Sequence, residues 1–83
     1  MNNMKQTLLA LWNGEIDMDV TLNGREASVA KLRNGTMVVE SKNQRAEVTG
    51  NKWLVTEKED GTREGVVYWR SFAYTIRLIP VED

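Results

Sequence analysis

Four glycine-containing turn pairs punctuate this chain: Asn23-Gly24, Asn34-Gly35, Gly50-Asn51 and Asp60-Gly61. Between them apolar and polar residues alternate, the period of a strand with one dry and one wet face. Closely spaced turns joined by alternating segments favour antiparallel hairpins over long crossovers. No other feature narrows the possible folds as far.

The first hairpin is the clearest. Ile16, Met18, Val20 and Leu22 alternate with Glu15, Asp17, Asp19 and Thr21. Asn-Gly follows, the strongest short hairpin signal, because both central positions of the favoured turn need φ > 0. A tight turn there sets Val20 opposite Ala27, Met18 opposite Val29, Thr21 opposite Glu26 and Asp19 opposite Ser28. Asn34-Gly35 leaves two registers open. A two-residue turn pairs Leu32 with Met37 and Ala30 with Val39, giving a strand apolar on both sides, as in a small barrel. A three-residue loop, Arg33-Asn34-Gly35, pairs Val29 with Val39 and implies a flatter meander.

Gly50-Asn51 sets Val48 opposite Trp53 and Ala46 opposite Val55. At Asp60-Gly61 a two-residue turn opposes Lys58 to Arg63 and Glu57 to Glu64, and like charges directly opposite are unfavourable. The three-residue loop Glu59-Asp60-Gly61 opposes Glu57 to Arg63 and is preferred. The run from Val66 to Val81 is strand-like throughout, with a bend at Arg70-Ser71 and Pro80 at its end or on an edge.

The N-terminal segment has a different period. Met4, Leu8, Leu11 and Trp12 fall on one side of a helix over residues 4–12, with Asn3 as its cap and Gly14 beyond its end. A helix this short needs a surface to pack on. It either covers an open face of the sheet or serves as a dimerisation or partner-docking element. The expected fold is mainly β within the α+β class. It comprises the short helix and a five- to seven-stranded antiparallel meander over residues 15–81, closed as a curled sheet or small barrel that hides strand edges. The strand count is similar to that of SH3-like and OB-like barrels, an analogy of architecture that carries no function.

The chain's 83 residues suit one domain and leave little core for a deep, dry pocket. It contains no Cys and no His. The first absence excludes disulfides, zinc–thiolate sites and thiol nucleophiles, and tilts the expectation towards a reducing, cytoplasmic setting. The second removes the commonest general base and metal ligand. Ser28, Ser41 and Ser71 therefore have no histidine to activate them, and the glycines are spread as turn formers rather than grouped in a phosphate loop. An enzyme is not expected, nor is a cofactor. Nothing resembles a signal peptide or a membrane span. With 11 basic and 12 acidic residues the net charge is −1, which suits neither a polybasic nucleic-acid binder nor an acidic mimic of one.

Two constellations remain. Glu15, Asp17 and Asp19 would share one strand side and offer oxygen ligands to Mg²⁺ or Ca²⁺, with Glu26 on the paired strand as a converging partner for a catalytic version; their alternative role is a solvated face that discourages aggregation. Trp53, Tyr68, Trp69, Phe72 and Tyr74 cluster in the last third, interleaved with Lys52, Arg70 and Arg77. Rings beside cations can stack bases and meet phosphates, the recognition mode for single-stranded nucleic acid. The same residue types form protein-binding hot spots, and overall neutrality favours that use. Alternation sends Tyr68 and Trp69 to opposite faces, and Trp69 is expected to point outward beside Arg70, with Trp53 in the core. The sequence thus leads to a non-enzymatic module that binds and modulates a larger protein, of the regulator or inhibitor type found among phage and mobile-element proteins. Its expected contact residues are Trp69, Arg70, Phe72, Arg77 and Lys52. Single-stranded nucleic acid is the alternative partner, and a homodimer is compatible with either.

Overall fold

A computed structural model describes residues 3–48 and 56–81. The helix α1 (Met4–Trp12) is followed by seven strands: β1 (Met18–Leu22), β2 (Arg25–Lys31), β3 (Met37–Glu40), β4 (Arg45–Val48), β5 (Thr56–Glu57), β6 (Arg63–Trp69) and β7 (Phe72–Pro80). All pairings are antiparallel, in the order β4-β3-β2-β1-β7-β6-β5. β4 and β6 stand five places apart in this order, which a flat sheet would hold roughly 24 Å apart. They nevertheless touch, so the sheet curls into a half-barrel.

The helix forms where its caps predict. The Asn3 side chain accepts a hydrogen bond from the Gln6 N–H at 2.8 Å, satisfying one of the free donors of the first turn. At the other end Gly14 adopts φ +77°, its N–H donates to the Leu11 carbonyl, and the Glu15 N–H donates to that of Ala10. This paired closure over a left-handed glycine is the usual way to stop a helix. Met4 and Leu8 are fully buried and join Val20, Leu22, Met37, Val39, Ala46, Val48, Val67, Tyr74, Ile76 and Leu78 in one core. The helix therefore covers the hollow of the curled sheet. Burial of a side chain such as Leu8 contributes about 1.5–3 kcal/mol, which a nine-residue helix needs. Trp12, expected on the buried side, is instead 50% exposed at the helix end. Among the described residues no helix is long and apolar enough to cross a membrane.

The turns sort into two kinds. Asn23-Gly24 is a two-residue turn with both φ positive, and Val20 opposes Ala27 and Thr21 opposes Glu26, as the alternation requires. Asn34-Gly35 and Asp60-Gly61 are three-residue loops instead. In each, the Asx side-chain oxygen accepts the N–H of the following threonine, Thr36 at 3.0 Å or Thr62 at 2.9 Å. In each, glycine takes a left-handed φ (+89° and +87°). The open register is thereby resolved: Val29 opposes Val39, and Glu57 opposes Arg63. The three-residue loop does not give a flat meander, because the curl comes from the whole sheet.

Two expectations change. β1 begins at Met18 rather than Glu15, so the two registers nearest its start do not form: the β1–β2 ladder ends at Val20–Ala27. Beyond that point β1 continues against β7 and β2 against β3, and the two strands part. The bend at Arg70-Ser71 is a tight two-residue turn, with Trp69 directly opposite Phe72. The Gly50-Asn51 hairpin, with Trp53 and Val55, lies outside the described residues. Pro80 ends β7 where β6 has already stopped pairing, at Arg63–Leu78. Its missing N–H costs no ladder bond there.

Candidate functional site

The β6–β7 hairpin carries most of the residues singled out for binding. Its inward rows are Gly65, Val67 and Trp69 on β6 and Tyr74, Ile76 and Leu78 on β7. A two-residue turn preserves this parity, so Trp69 belongs to the inner face. It packs against the core and is half-buried, which reverses the outward placement expected from sequence. The outward ring is Tyr68, 65% exposed opposite Ala73. Phe72 shares the inner parity but sits past the end of the core, and it too is 65% exposed.

The turn itself is unusual. Arg70 and Ser71 have φ of +52° and +68°, a conformation that L residues with a Cβ adopt at a cost of about 1–2 kcal/mol each. Asn-Gly would avoid most of that cost. This backbone folds Arg70 back over its neighbour: its guanidinium carbon lies 4.7 Å from the centre of the Trp69 ring. Arg45, at the start of β4, approaches the same ring at 5.8 Å. Both distances lie within the range of cation–π attraction. Arg45 is neutralised by Glu47, Nη1 to Oε2 at 2.6 Å. Among the described residues no carboxylate pairs with Arg70. The tip of the hairpin thus brings together Trp69, Phe72 and, among the described residues, one cation without a carboxylate partner.

Arg77 is not part of this group. It lies on the outer face of β7, five residues from Phe72 or about 17 Å along the strand. Its guanidinium donates to Glu64 Oε2 through Nε at 2.9 Å and Nη2 at 2.8 Å. Lys58 reaches the same oxygen at 3.5 Å. The Arg77 hydrogen bond holds the Glu64 carboxyl below its ordinary pKa. Lys52 lies outside the described residues. Arg45 was not foreseen; no local signal marks it, because β4 meets the hairpin only through the curl of the sheet.

The acidic segment does not converge either. Glu15 and Asp17 precede β1 in a loop, and only Asp19 is on the strand. Among the described residues no three acidic side chains are grouped so as to hold a metal ion. What this region does contain is a cleft of about 590 Å³, opened where β1 and β2 part, with Leu11 and Trp12 of α1 at its wall. No protein family, curated protein or solved structure matches the chain.

Proposed function

We propose that the chain is a non-enzymatic protein-binding module whose β6–β7 hairpin tip contacts and modulates a larger partner. The observation that carries this reading is the strained Arg70-Ser71 turn, which sets Arg70 on Trp69 beside an exposed Phe72. Aromatic and arginine side chains concentrated at one point are the usual composition of an interface hot spot. Their parts differ. Trp69 packs against the core and holds its ring in place, Phe72 offers apolar area, and Arg70, without an ion pair among the described residues, offers a charge for a partner carboxylate or carbonyl. Single-stranded nucleic acid is less well suited. Beside these rings Arg45 is bound to Glu47, and Arg77 is held away by Glu64, so among the described residues of the tip Arg70 is the one cation left to meet a phosphate.

The test uses Arg70→Ala and Phe72→Ala, both at exposed positions, in affinity capture from a cell lysate with quantitative comparison to wild type. The protein captured by wild type is expected to be lost from both variants, each weakened by about 2 kcal/mol or more. Equal capture by both variants removes the hairpin tip as the contact. Salt-dependent tryptophan quenching by a single-stranded oligonucleotide, abolished by Arg70→Ala, would replace the protein reading with the nucleic-acid one.

A further inference from the structure

We infer that the cleft between β1 and β2 is a docking slot for an extended basic segment of a partner protein, held as an added strand. The inference rests on the ladder rather than on the hairpin tip, and it stands whether or not the tip binds anything.

In an antiparallel hairpin with a two-residue turn, the pair flanking the turn exchanges both backbone hydrogen bonds, and every second pair after it does the same. Leu22–Arg25 is that first pair and Val20–Ala27 the next. By the same alternation the N–H and C=O groups of Met18 and of Val29 point into the gap. Met18 and Val29 do not pair across it, because the β1–β2 register stops at Val20–Ala27. Both strands are nevertheless held firmly from behind. β1 pairs with β7 through Met18–Pro80, and β2 pairs with β3 through Lys31–Met37. Two fixed strands with facing, unpaired edges form a template for a third.

The walls specify what that strand carries. Towards the hollow of the sheet the cleft is lined by Leu11, Trp12, Met18 and Val29, an apolar floor. Towards the outside it is lined by Asp19, Thr21, Glu26 and Ser28, with Ile79 beside Asp19 and no Lys or Arg in the lining. A strand in this slot turns alternate side chains to each wall. The matching sequence therefore alternates apolar and basic residues. Charge complementarity excludes an acidic segment, since Asp19 and Glu26 would oppose it from both sides.

The probe is an N-acetylated, C-amidated hexapeptide of alternating Lys and Val, titrated into the full ¹⁵N-labelled chain. The expected result is a shift and slowed hydrogen exchange at the Met18 and Val29 amides. Asp19→Lys with Glu26→Lys weakens binding roughly tenfold or more, and the same reversal at the distant Glu59 leaves it unchanged. Methylating alternate backbone nitrogens of the peptide removes the protection. The inference is overturned if the Met18 and Val29 amides do not respond, if a matching hexapeptide with Glu in place of Lys binds as well, or if backbone methylation has no effect. It is also overturned if those amides shift with protein concentration alone, which would assign the slot to a second copy of this chain.

Discussion

The β1–β2 and β6–β7 hairpins share one backbone and differ in the residues asked to adopt it. Both turns have two residues with positive φ: Asn23 and Gly24 at 51° and 82°, Arg70 and Ser71 at 52° and 68°. Asn-Gly accepts that geometry, whereas Arg-Ser opposes it. Asn23 is also tied into the sheet. Its N–H donates to the Thr75 carbonyl at 2.8 Å, its Oδ1 accepts the Thr75 N–H at 2.8 Å, and its Nδ2 donates to Gln44. It thus adds a rung to the β1–β7 ladder beyond Leu22–Ile76. Among the described residues Arg70 and Ser71 make no such bonds; their side chains are exposed at the tip. One turn contributes to stability, and the other gives some up to present a cation and two rings. Strain placed where a contact is proposed is the pattern expected of a functional position.

This contrast can be broken by exchange. The largest effect is expected from Asn23→Ala, which removes the hydrogen bond from the Thr75 N–H and places alanine in the left-handed region. It should cost about 2–4 kcal/mol in urea unfolding; a loss below about 1 kcal/mol would make the two turns equivalent. Next, Arg70→Asn with Ser71→Gly should raise stability by about 1–2 kcal/mol while reducing partner capture. No gain in the denaturation midpoint would dispose of the strain.

The smallest effect is electrostatic. Glu64 is held below its usual pKa in the folded chain, first by the Arg77 hydrogen bond and then by the Lys58 charge. A depressed carboxyl contributes stability above its unfolded pKa of about 4.3, and the contribution disappears as pH falls through the folded value. Among the described residues the β1–β2 hairpin has no such ion pair. Amide protection in β6–β7 should therefore decline before that in β1–β2 on acidification, and Glu64→Gln should remove the difference.

Legibility in the sequence follows the same division. Asn3, Gly14 and Asn23-Gly24 declare their conformations because few other residues suit them. Charge placed the Asp60 loop, since only one register opposes Glu57 to Arg63. Alternation could not decide the Asn34 loop, because Val38 makes β3 apolar on both faces and is 3% exposed on the outer one. The repeated Asx-Gly-Thr triplet, absent after Asn23, is the signal that separates the loops. Trp69 is not legible as an inward residue because Arg-Ser does not announce a tight turn; the alternation of Tyr74, Ile76 and Leu78 carried back through a two-residue turn puts it inside. The parting of β1 from β2 leaves no local trace, since the alternation runs on past Val20. Of the five contact residues, Trp69, Arg70 and Phe72 come together, and Arg77 is bound elsewhere.

The position of β7 between β1 and β6 also governs how the sheet is assembled. Leu22 and Ile76 pair across 54 positions, a closure costing about 3.5 kcal/mol plus a constant before any contact repays it. The β1–β2 turn closes almost without that cost, so it forms early and β7 docks late. At roughly 5–20 residues per second, ribosomal synthesis leaves the β7-facing edge of β1 uncovered for about 3–10 s. During that window the nascent sheet is open to pairing with other chains. Asn23, through its two bonds to Thr75, ties the β1–β2 turn to the strand that closes this edge.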